Sequence, residues 1–288
     1  MGMFSNSMSL AKTSLGVLKQ DKELVAIPIA SAVSCAVVAL VFGGAAFLTL
    51  DHVANPLPDQ AEYSAAPLTW VVGIVGIFVI GLVAQFFGAV LVAGANERLE
   101  GGNPTLGSAF AKATSRGGSI LGWSVINSTV GVVLSAIREN AGFLGAIITS
   151  LVGAAWNVIT WLAIPIIIVE GIGPIAAIKR SAMLLKQTWG ENLIAQGGLG
   201  IIGLLAMLPG IVVFGLISVA LPFLGIPLLF IYLAIVGAIL AALGSIFRTA
   251  LYRYAVGLPN GEIFDEQQLV GAFKVKGSKG GKSGTTFN

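Results

Sequence analysis

Charge is what this sequence lacks. Asp, Glu, Lys and Arg make up 10% of its 288 residues while 56% are apolar, and a water-soluble domain carries roughly a quarter charged residues. Too little polar surface remains to cover a soluble fold. Cysteine and histidine are nearly missing: Cys35 and His52 stand alone. An internal disulfide or a metal centre built on either residue type is therefore not expected, and no cofactor is called for. A secretory leader is not expected either, because the first 23 residues are polar and the apolar run after them far exceeds a signal-peptide core. Asn6 stands where myristoylation wants serine or threonine, and Cys35 lies mid-span without the leucine of a lipoprotein box.

What is present in abundance is apolar sequence and glycine, 38 residues of it, as in packed transmembrane helices. Charge-free or nearly charge-free stretches occupy about 24–50, 69–95, 119–137 and 143–169. A further run from Leu193 to Phe247 carries no charge and is too long for one helix; Pro222 and Pro227 break it into 193–220 and 227–247. A crossing needs about 20 residues, so the expected fold is all-α, a polytopic bundle of six transmembrane helices. Pro209-Gly210 is the expected kink in the fifth. Residues 1–255 form one membrane domain on this reading, and 256–288 a tail, flexible from about residue 274, where Gly, Lys and Ser prevail. Lys276–Ser283 in that tail resembles a phosphate-binding loop only superficially, lacking its first glycine and any flanking strand and helix.

The cations alternate between connections. Lys12, Lys19 and Lys22 precede the first span; Arg98, Lys112 and Arg116 follow the second; Lys179, Arg180 and Lys186 follow the fourth; Arg248, Arg253 and four lysines follow the sixth. Arg138 alone falls on the other side. Basic connections stay in the cytoplasm, which predicts both termini inside and a multi-pass protein of the inner (cytoplasmic) membrane.

An amphipathic cytoplasmic segment precedes spans 1, 3 and 5. Phe4, Met8, Ala11, Leu15 and Leu18 share a face in the first. Asn103 and Pro104 read as N-cap and first-turn residues of the second, with Leu106, Phe110 and Ala113 on one face. Pro174 opens the third, where Ile175, Ile178, Ala182, Leu185 and Trp189 align. Such helices lie at the headgroups or pack on the ends of the bundle. Lys12, Lys19, Lys112, Lys179, Arg180 and Lys186 are the candidate headgroup contacts, with anionic lipid of the cytoplasmic leaflet as the expected partner. Lys12-Thr13-Ser14 and Leu18-Lys19-Gln20 echo Lys179-Arg180-Ser181 and Leu185-Lys186-Gln187, which suggests a thrice-repeated unit of interfacial helix plus hairpin. A protein partner or a homo-oligomer is compatible with this surface; nucleic acid is not an expected partner.

The segment Trp156-Asn157-Val158-Ile159-Thr160-Trp161 to Pro165, then Glu170, Gly173-Pro174, Ala177–Ser181 and Thr188–Glu191, resembles the signature of a prokaryotic membrane-protein family catalogued as a domain of unknown function. Ser9–Pro28 and Ala250–Ala255 resemble its two ends. The arrangement is more distantly similar to the membrane region of bacterial glycerophosphodiester phosphodiesterases, without their catalytic barrel. The resemblance implies a six-helix membrane domain and no activity.

No ionisable residue lies deep in a span on this reading, which argues against a proton relay. Glu170 sits nearest, as an anchor of the following turn. Uncharged polar residues do fall within spans: Ser124, Thr160, and a candidate intramembrane cluster of Gln85, Asn127, Asn157 and Gln196. They either bond between helices or line a polar cavity. Gly118/Gly122 and Gly237/Ala241/Ser245 offer surfaces for close helix approach. No nucleophile-and-base set is visible, so catalytic residues are not assigned. The expectation is a non-enzymatic protein of membrane or envelope organisation, or of complex assembly, acting through basic helices. The alternative is a transporter or channel for a lipid or small neutral solute, which requires the polar cluster to surround space rather than pack tightly.

Overall fold

The computed structural model describes residue 16 and residues 22–53, 62–65, 67–140, 142–189 and 198–260. Nine helices and one strand pair make up these residues: α1 (Lys22–Leu48), β1 (Leu50–Val53), β2 (Glu62–Ala65), α2 (Pro67–Leu99), α3 (Leu106–Thr114), α4 (Gly117–Asn140), α5 (Gly142–Ile159), α6 (Ala163–Glu170), α7 (Pro174–Trp189), α8 (Gly198–Ala220) and α9 (Pro222–Ala255). Consecutive long helices pack in pairs, α1 on α2, α4 on α5 and α8 on α9. The strands pair antiparallel, His52 opposite Tyr63, and bridge α1 to α2; sequence reading leaves this stretch as a loop.

Five helical stretches are long and apolar enough to cross a bilayer: Leu24–Leu48, Pro67–Leu99, Gly117–Glu139, Gly145–Glu170 and Pro222–Ala255; Ala206–Ala220 is a shorter apolar helix. Large apolar side chains cover their outsides, with Leu40, Leu48 and Val219 at 76%, 84% and 84% exposure. Water would penalise each such side chain by about 1.5–3 kcal/mol relative to burial; hydrocarbon does not. The molecule is an integral membrane protein.

Burial is concentrated at one end. Leu24 and Ile27 of α1, Ala89–Leu99 of α2, Ala109 and Ala113 of α3, all of Ala163–Ile168 of α6, and Ala242–Tyr252 of α9 contribute to a single core. The opposite halves of the long helices turn apolar side chains outward. α2 and α9, 33 and 34 residues, measure about 50 Å at ~1.5 Å per residue and outrun the ~30 Å of hydrocarbon. Their surplus length lies in the packed end.

Three local readings are corrected. α3 starts two residues later than Asn103-Pro104 suggests: Thr105 is the N-cap, and its hydroxyl and that of Ser108 form a reciprocal capping box. Asn103 instead accepts from Arg98. The 143–169 stretch is two helices, because Pro165 has no N–H to give the Trp161 carbonyl and its ring crowds that carbonyl. Residues 160–162 form a turn there. Pro222, in contrast, opens α9 at its first position, where a missing N–H costs nothing, and Pro227 lies within α9. The last helix therefore begins earlier and ends later than 227–247.

α7 buries Ala177, Ser181, Leu184 and Leu185, while Ile175 is 62% exposed. Its seam is thus rotated from the Ile175–Ile178–Ala182 stripe. The cause is the break beside it: Ser181 Oγ donates to the Ile159 carbonyl at 2.6 Å and accepts from the Leu162 N–H at 3.2 Å, so this serine must face inward. Lys12 and Lys19 of the first basic segment lie outside the described residues, as do Gln196 and the tail from 261.

Glycine sets the approach of α8 to α9. A methyl at Gly225 would overlap the Ser218 backbone, and one at Gly210 would overlap the Tyr232 ring, whose hydroxyl donates to Ala206 O at 2.7 Å. A methyl at Gly122 would meet the Pro174 ring at 3.0 Å, tight but without overlap, and Gly118 and Gly237 have nothing near. Gly225→Ala is expected to destabilise the protein by about 1–3 kcal/mol in detergent unfolding, because backbone cannot retreat, and Gly237→Ala to leave it unchanged. Equal effects would show that close approach at Gly225 does not hold the hairpin.

Candidate functional site

The turn at 160–162 borders a cavity of about 250 Å³. α2 contributes Gln85, α4 Trp123 and Asn127, α5 Asn157, the turn Thr160 and Trp161, α6 Ile164, and α9 Arg248. Five helices thus converge on one polar space inside a membrane bundle. Irregular backbone at such depth is tolerated where it is buried in protein or lines a cavity, and both conditions hold here.

Hydrogen bonds separate framework from available groups. Ser124 and Thr160 hydroxyls donate to carbonyls one turn back, Ile120 O at 3.0 Å and Trp156 O at 2.7 Å; these are structural. Asn127 Oδ1 accepts from Trp156 Nε1 at 3.1 Å, and the Trp156 ring stacks on Trp123 at 6.3 Å. That unit joins α4 to α5. No hydrogen bond joins Gln85 to Asn127 or Asn157 among the described residues; the three amides face the space rather than each other.

Arg248 is the residue sequence reading misses. Counting a span only to its first charge ends the helix at Phe247, whereas α9 continues to Ala255 and carries the guanidinium into the cavity wall. Its Nε is buried without a hydrogen-bond partner, and its Cζ lies 5.7 Å from the Trp161 ring centroid, a cation–π contact. Buried indole N–H groups of Trp123 and Trp161 are also unpartnered. Arg253, five residues on, is only 3% exposed but fully engaged: it donates to Asn96 Oδ1 (2.9 Å), Glu100 Oε1 (3.1 Å) and the Pro259 carbonyl (2.6 Å). Asn260 Nδ2 closes the loop on Ala250 O.

A second cavity, of about 360 Å³, shares Asn127 and Asn157 with the first and runs between α4 and α5 past Trp156, Ser135 and Ser150 to Arg138. No carboxylate lines either space.

The other candidates lie apart from it. Lys112, Lys179 and Lys186 are exposed at the packed end. Arg180 pairs with Glu170 at 3.2 Å, and Glu170 also accepts from Tyr252 at 3.1 Å. Glu170 so ties α6 to α7 and α9. Gly171 follows it at φ +70°, and any side chain there would overlap the Arg116 guanidinium, which sits over the α6 C-terminus, the favoured end for a cation.

A hydrated cavity differs from lipid in what it lets a thiol do, since thiolate forms only in a polar medium. In a Cys35→Ala background, Asn157→Cys is expected to react with a small water-soluble thiosulfonate. Val132→Cys, on the 67% exposed outer face of α4, is expected to stay unlabelled. Reaction at Val132 alone would mean that the cavity is dry.

Among proteins compared with this chain, no curated protein and no solved structure matches, and nothing in the comparisons supports the likeness to phosphodiesterase membrane regions. A family match covers residues 68–262, from the start of α2 to just past the loop that holds Arg253. More than half of the chain, including every residue lining the cavity, falls within it, and the chain belongs to the family of unknown function DUF6159.

Proposed function

We propose that this protein is a six-span, non-enzymatic protein of the cytoplasmic membrane that holds a lipid headgroup or small polar solute in the cavity beside the 160–162 turn. The carrying observation is that Gln85, Asn127 and Asn157 surround space instead of bonding to one another. Interhelical hydrogen bonds, worth roughly 0.6–2 kcal/mol in membranes, would be the return on polar residues placed there for packing alone, and Gln85 and Asn157 do not make them. The lining offers amides, a hydroxyl and a guanidinium, and no carboxylate, imidazole or thiol to act as a base. That inventory suits binding.

The cation distribution supports both termini in the cytoplasm, with α8 as the fifth span and the packed end facing inward. A second reading, membrane organisation or complex assembly through basic helices, draws on α7, where exposed Lys179 and Lys186 stand near exposed Ile175 and Met183. Anionic lipid is the partner such a surface suits; a protein partner or a second copy would compete for the same face.

Native mass spectrometry of the protein taken from its own membrane into nanodiscs tests both. One retained small molecule or lipid, lost in Gln85→Leu/Asn157→Leu but kept in Lys179→Gln/Lys186→Gln, is the expected result. The reverse pattern would favour the α7 surface. A wild-type protein with nothing bound, in nanodiscs and under lipid titration, would sink the cavity reading.

A further inference from the structure

We infer that the ligand of this cavity carries a phosphate-type oxyanion and that Arg248 is the group that recognises it, an assignment that rests on the cavity being a binding site. The two arginines of α9 carry the argument. They lie five residues apart on one helix, and both reach into the packed part of the bundle. Arg253 has a carboxylate, an amide and a backbone carbonyl around its guanidinium. Arg248 has an aromatic face on one side and the cavity on the other, with no ion pair among the described residues. It lies about 10 Å from the helix end at ~1.5 Å per residue, too far inside to be a surface cation by default.

Arg248 is half-buried, with its Nε enclosed and unpartnered and no counter-charge beside it among the described residues, and a cation so placed is unfavourable to the extent that it is desolvated. An anion in the cavity removes that penalty, so the empty and filled states differ most in the energy of this one group. The rest of the lining is donor-rich. Indole N–H groups of Trp123 and Trp161 are buried without acceptors, and Gln85 and Asn157 add amide N–H groups. A guanidinium fork matches the oxygens of phosphate. The adjoining 360 Å³ cavity toward Arg138, again without a carboxylate, has room for the remainder of a larger molecule. The shared chemistry is phosphate, carried by a phospholipid headgroup or by the free ion.

The test uses full-length protein in a maltoside detergent, which holds no phosphate. Three of the five tryptophans, Trp123, Trp156 and Trp161, border the two cavities, so intrinsic fluorescence reports occupancy. Short-chain phosphatidylglycerol, inorganic phosphate and short-chain diacylglycerol are titrated into wild type, Arg248→Gln and Arg248→Lys. Phosphatidylglycerol or phosphate is expected to bind wild type, about tenfold or more weakly to Arg248→Gln, and with intermediate strength to Arg248→Lys. Saturation by phosphate alone would identify the free ion, and by phosphatidylglycerol alone the headgroup. Asn157→Leu, which keeps the arginine, is a second variant expected to weaken the anion if Arg248→Gln fails to fold. Diacylglycerol binding that Arg248→Gln leaves intact, with no anion effect, would overturn the oxyanion assignment while keeping the cavity as a site. Failure of all three probes to bind wild type would overturn both.

Discussion

Pro165 cannot donate a backbone hydrogen bond, and the interior of this bundle is arranged around that fact. A proline four residues after Trp161 ends one helix and begins another within the membrane domain. The freed groups at the break would each be worth about 1–3 kcal/mol if left unpaired. Ser181 of α7 takes two of them, donating to Ile159 O and accepting from Leu162 N–H. α7 is consequently fixed to the break by its polar serine as well as by Ala177, Leu184 and Leu185. α6, released from the line of α5, is enclosed on all sides from Ala163 to Ile168. Its N-terminal end then has a cavity beside it, because a helix that stops short leaves space that neighbouring side chains of α2, α4 and α9 border without filling.

Charge placement follows from the same geometry. The packed end holds Arg116, Glu170, Arg180, Tyr252, Arg253 and Asn96, each set against a partner or a helix terminus. These contacts tie α2, α6, α7 and α9 together at the end where the helices are longer than the hydrocarbon. The opposite end has no comparable network among the described residues and needs none, since lipid solvates its apolar side chains and the helix pairs α1–α2, α4–α5 and α8–α9 satisfy their own backbones. Arg248 stands between the two regimes. It stands apart from the polar network and lies against the polar cavity beside the 160–162 turn.

Much of this was legible in sequence, and the gaps have specific causes. Apolar run length located the long helices, because hydrocarbon thickness imposes it. Gln85, Asn127 and Asn157 could be grouped because uncharged polar residues are rare in spans; their shared cavity needed the tertiary arrangement. Arg248 was hidden by the rule that made the spans visible, since a span counted to its first charge cannot contain one. The Pro165 break was equally hidden, because proline is tolerated in the first turn of a helix and only the position of Ser181 shows that a new helix starts there. The buried face of α7 lies about a quarter of a turn from the apolar stripe for a related reason: hydrophobicity scales place serine outside, and here a backbone break pulls it in. At α3, Asn103 and Thr105 are both acceptable caps by composition, and the choice fell to Ser108, whose hydroxyl completes the box and also donates to Glu97 at 2.7 Å.

The chemistry of the cavity limits what it can do more firmly than its shape does. A guanidinium does not release its proton under physiological conditions, so Arg248 cannot serve as a relay or a base, and the amides beside it cannot either. What remains is attraction: a fixed positive charge, polarised by no carboxylate, next to an aromatic face and several unpaired N–H donors. Such a group binds an anion strongly only where water is scarce, and loses that advantage as the space hydrates. Occupancy of the site therefore depends on how far Asn157, exposed at the rim, lets water follow the ligand in. The Asn127–Trp156 bond lies between this space and the passage to Arg138. Asn127 lines both spaces; a ligand larger than a bare phosphate that extends from one into the other passes this amide, which could then exchange its indole partner for the ligand.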